Sequence, residues 1–110
     1  MSLLPPEALA ARSLRDAGLN ILENEMLAEK ASSLGYHGRL VETSLAALRA
    51  FDPATGTSEE RLQLVRAAAR HVWAFFVQRE LCGLRDQKQM IQFYQIPGEV
   101  IARLGAIEKR

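Results

Sequence analysis

Two histidines, His37 and His71, and one cysteine, Cys82, are the side chains here best suited to nucleophilic or metal chemistry. Cys82 and His71 fall on one predicted helix, eleven residues apart. That separation is about 16 Å along the axis, too far for a Cys–His hydrogen bond. A lone cysteine reads more simply as a small core hydrophobe. A di-iron carboxylate centre in a helical protein needs Glu-x-x-His pairs. Leu34 and Ala68 stand three residues before the histidines, so that motif is missing. Glu23, Glu25 and Glu29 read as a solvated face. The sequence holds neither a Gly-rich phosphate loop nor a Gly-x-Ser-x-Gly elbow. The expectation is a chain that is not an enzyme, with no catalytic residue, no metal and no cofactor.

Two constellations remain as candidate binding sites. Arg79, Glu80 and Arg85, next to Asp86, adjoin the most apolar stretch of the chain and form a candidate polar cluster. It is suited to an anion or a partner. The plainer reading is a set of ion pairs over a helix end, with arginine stems packed on aromatic rings. An enzyme or ligand site here would draw on Arg79, Glu80 or Tyr94. The second constellation is Trp73, Phe76 and Val77, within a run (72–77) that is apolar on every side of a helix. A helix apolar all round is buried all round. These three residues are therefore expected at a dimer interface or in the central core, and the sequence does not separate the two. Trp73 and Phe75 lie on nearly opposite sides of the helix. An apolar surplus of that kind points to a second copy of the chain, and a symmetric dimer is the commonest closed solution.

A helix-turn-helix-like pair at residues 86–104 is the alternative. Ile91, Ile96, Val100 and Leu104 would anchor it, and Arg103, Arg85 and Lys88 would contact phosphates. Gln95 stands where a turn glycine is usual, Ile91 is bulky for its place, and Glu99 repels the DNA backbone. Nucleic acid is the weaker expectation.

The elements that must position these residues read as helices throughout. Residues 1–18 form a leader with a short helix after Pro5-Pro6, ended by Gly18. Asn20 and Glu23 have capping-box spacing and open helix A, which carries Leu22, Met26, Leu27, Ala31 and Leu34 to a C-terminal Gly35. Helix B runs from about 38 to 51 with Val41, Leu45 and Leu48 inward. The short link 35–38 predicts an antiparallel A–B hairpin. Asp52-Pro53-Ala54-Thr55-Gly56 is a loop. Thr57 and Glu60 form a second capping box and open helix C, about 58–84, expected to be the longest element. Helix D (86–94) starts at Asp86, and helix E (about 97–104) follows Pro97. The tail 108–110 is polar and expected to fray. The fold class is all-α: a four- to five-helix bundle around one long central helix, with 19–110 as a single domain.

The chain has 110 residues, 48% of them apolar, a net charge of +1 and one cysteine. That apolar content excludes disorder as the dominant state. The balanced charge gives no general footprint for nucleic acid or anionic membrane. The longest apolar run is far shorter than the ~20 residues of a membrane span. With a single thiol and no signal-peptide pattern, the expectation is a cytoplasmic protein.

Four blocks carry a resemblance: 22–35 (LENEMLAEKASSLG), 41–52 (VETSLAALRAFD), 72–86 (VWAFFVQRELCGLRD) and 91–105 (IQFYQIPGEVIARLG). The run Trp-Ala-Phe-Phe-Val-Gln-Arg-Glu is the most specific part. Together they resemble a family of short bacterial proteins defined only as a domain of unknown function. The resemblance implies a small helical protein of bacterial origin and brings no catalytic residues with it.

Overall fold

A computed structural model describes residues 5–108. Four helices make up the described chain: α1 (Pro6–Ala50), α2 (Ser58–Leu81), α3 (Gln87–Tyr94) and α4 (Gly98–Glu108). Among the described residues there is no strand. Residues 1–4 of the expected leader and 109–110 of the expected frayed tail lie outside the described residues.

α1 corrects the sequence reading. It is one 45-residue helix, and it passes without a break through Gly18, Gly35 and Gly38. The predicted A–B hairpin does not form, and α1, not helix C, is the longest element. The physical reason is magnitude. A glycine costs a helix only about 1 kcal/mol relative to alanine, whereas proline costs about 3. After Pro6 no proline occurs until Pro53. The intervening Ala, Leu, Glu, Lys and Arg residues are strong helix formers that absorb three glycines. Asn20 and Glu23 sit mid-helix, where their spacing caps nothing.

The chain divides into two compact units, Met1–Ser32 and Ser33–Arg110. In the first, residues 6–32 are helical. Seven large apolar side chains stand exposed there: Leu9, Leu14, Leu19, Ile21, Leu22, Met26 and Leu27.

The second unit holds the core. From α1 come Val41, Leu45 and Leu48, and from α2 come Val65, Ala68, Ala69, Val72, Phe75 and Phe76. Ile96 and Val100 complete it, and Leu34, Leu64, Met90, Ile91, Tyr94, Ile101 and Leu104 pack around it. The α2 set steps by three and four residues, the period of a single helical face. Ala68 and Ala69, almost fully buried, keep that face narrow where α4 packs on α2.

The helix ends follow from local chemistry. Thr57 and Glu60 form the expected capping box: the Thr57 hydroxyl accepts from the Glu60 N–H, and the Glu60 carboxylate accepts from the Thr57 N–H, both at 3.1 Å. In the loop before them, the Asp52 carboxylate accepts the Ala54 N–H at 2.9 Å. α2 ends three residues earlier than expected, in a Schellman closure. The Leu84 N–H reaches the Arg79 carbonyl and the Gly83 N–H reaches that of Glu80, each at 2.9 Å. Gly83 takes φ +82°, a left-handed conformation that glycine adopts without penalty. α3 closes the same way, with Ile96 N–H on Ile91 and Gln95 N–H on Gln92. There the left-handed residue is Gln95, at φ 53°.

Candidate functional site

The polar cluster expected around Arg79, Glu80 and Arg85 lies where α2 turns into α3. Arg79 stacks over the Phe75 ring, 5.6 Å from its centroid, and donates to the Asp86 carboxylate. One turn of chain later, Gln87 donates to Glu80 at 3.1 Å. Arg85 is exposed. Asp86 precedes α3 as expected, but its side chain caps no N–H of that helix. The carboxylate is turned to Arg79 instead, and its backbone carbonyl accepts from Gln89 and Met90.

The Arg79 hydrogen bond holds the Asp86 carboxyl below its ordinary value, against an opposing effect of desolvation. A folded-state value below the unfolded one gives stability that is complete above the unfolded carboxylate range. That stability is lost as the pH falls through the depressed value. Asp86→Asn is therefore expected to lower the urea midpoint at neutral pH. The gap to the parent chain should close on acidification to about pH 2. A gap constant from neutral to acid would mean that the pair contributes nothing through its charge.

Tyr94 joins this corner to α1. Its ring is edge-on to Phe75 at 5.6 Å and to Phe93 at 5.0 Å. Burial, with a smaller push from the Glu42 carboxylate, raises its phenol above the usual range. Its backbone carbonyl accepts from Arg49 at 2.8 Å, and Arg49 also reaches the Gln95 carbonyl at 3.4 Å. The Arg49 guanidinium thus serves the exposed carbonyls at the end of α3. These contacts tie three helices together. The corner as a whole holds one ion pair, Arg79–Asp86, one Gln87–Glu80 hydrogen bond and a group of packed rings.

Trp73, Phe76 and Val77 do not share one environment. Phe76 belongs to the core, with 6% of its surface exposed. Trp73 and Val77 are half-buried, in one line with exposed Arg66 and Arg70 on the outer side of α2. Cys82 is half-buried at the end of α2, outside the core, and its N–H donates to the Gln78 and Arg79 carbonyls. His37 stands on α1 with its ring edge-on to Tyr36, and its buried Nδ1 has no hydrogen-bond partner.

A shallow groove of about 240 Å³ runs between α2 and α4, lined by Ser58, Arg61, Leu62, Val65, Glu99 and Arg103. Arg61 and Glu99 pair across it. Among the described residues no three His, Cys, Asp or Glu side chains gather as a metal would require. No described helix is long and apolar enough to cross a membrane.

Sequence reasoning missed the exposed apolar side chains of residues 6–32 of α1. Leu14 is 75% exposed, Leu27 63% and Leu22 56%. The available signal was the lack of any proline or loop between that stretch and helix B. Once α1 is continuous, Leu22, Met26 and Leu27 have no hairpin partner to cover them.

Comparison with known proteins gives one match. The model of a family of unknown function (DUF6665) covers residues 1–110. No curated protein and no solved structure matches.

Proposed function

We infer that this chain, which belongs to the family of unknown function DUF6665, is a non-enzymatic, homodimeric interaction or regulatory module of the bacterial cytoplasm. The observation that carries the reading is the exposed apolar stretch of α1, seven large side chains within residues 9–27. Apolar side chains exposed in that number on one helix favour association over a free monomer. The single cysteine suits a reducing compartment.

The test is the absolute mass in solution by light scattering after size exclusion. The expected value is twice 12.2 kDa. A mass of one chain at high micromolar concentration overturns the reading.

DNA binding through α3 and α4 has one observation in its favour: Gln95 takes the left-handed conformation at the place of the usual turn glycine. Against it, Glu99 is engaged by Arg61, and Arg103 lines the groove beside them, half-buried. Binding of mixed-sequence DNA at low salt, weakening steeply as salt rises, would favour this alternative.

A further inference from the structure

We draw no further inference here: the strongest candidate, the exposed apolar stretch of α1 within residues 6–32, carries nothing, because its apolar side chains lie on every side of the helix among charges of both signs and nothing in the structure shows what covers it.

Discussion

Phe76→Ala lowers the stability of the Ser33–Arg110 unit by about 3–5 kcal/mol, the cost of deleting a buried aromatic ring and leaving its cavity. For a domain of roughly 60–100 residues each kcal/mol moves Tm by about 4–8 °C, so the midpoint falls by well over 10 °C. The chain's one tryptophan, Trp73, lies three residues away on the same helix and gives a native fluorescence signal for the transition. Trp73→Ala is the smaller perturbation, because Trp73 is only half-buried and part of its surface is already in water. The mass of Phe76→Ala, measured while it is folded, stays that of the parent, since Phe76 faces Val72, Phe75 and the rest of the core. A variant with unchanged Tm and altered mass would instead place Phe76 at a surface between copies.

Two glycines three residues apart on α1 respond to substitution with opposite signs. A Cβ at Gly38 would stand 3.1 Å from the Tyr94 hydroxyl and 3.7 Å from the Phe75 ring. Tyr94 has little room to yield. Its ring is held between Phe75 and Phe93, and its carbonyl by Arg49. Gly38→Leu is therefore expected to cost about 1–3 kcal/mol through overpacking, which outweighs the roughly 1 kcal/mol gained in helix propensity. At Gly35 the nearest atom is the Arg39 guanidinium at 3.4 Å, the free end of a flexible side chain. Gly35→Ala keeps the propensity gain and stabilises by about 0.5–1 kcal/mol. Urea midpoints measure both. Tyr94→Phe removes the obstructing oxygen and recovers part of the loss at Gly38, a coupling that a double-mutant cycle reads directly. A destabilising Gly35→Ala, or a neutral Gly38→Leu, would contradict the close approach of α1 to Tyr94.

The parts of the fold that were legible in sequence are those set by local chemistry. Thr57 and Glu60 announced the start of α2, because a hydroxyl and a carboxylate three residues apart satisfy two free N–H groups wherever a helix begins. Asp52-Pro53 marked the loop, and Pro97 marked the break before α4. The row Leu62, Val65, Ala69 and Val72 recurs at helical spacing, and its last three members are buried while Leu62 is half-buried. The parts that were not legible depended on competition between neighbours. Asn20 and Glu23 have the same spacing as Thr57 and Glu60, but a capping pattern acts only where the helix has no preceding turn, and here it has one. Gly18, Gly35 and Gly38 look like stops, and each is overruled by the residues around it. Splitting α1 gave Leu22 and Met26 an imaginary partner, so the exposed apolar stretch vanished from view. At the other end, Asp86 looked like a plain N-cap, and only the fold showed Arg79 near enough to claim its carboxylate.

The tie between Arg49 and the last carbonyls of α3 bears on how the Ser33–Arg110 unit comes apart. α3 has eight residues, too few to persist alone in water. It lasts only while its end is held and while Met90, Ile91 and Tyr94 rest against the core. The holder belongs to the final turn of α1, forty-five residues earlier in the chain. Fraying of that turn releases α3 at the same moment, so two segments remote in sequence breathe as one. The shortest helix of the unit thereby reports on the end of α1.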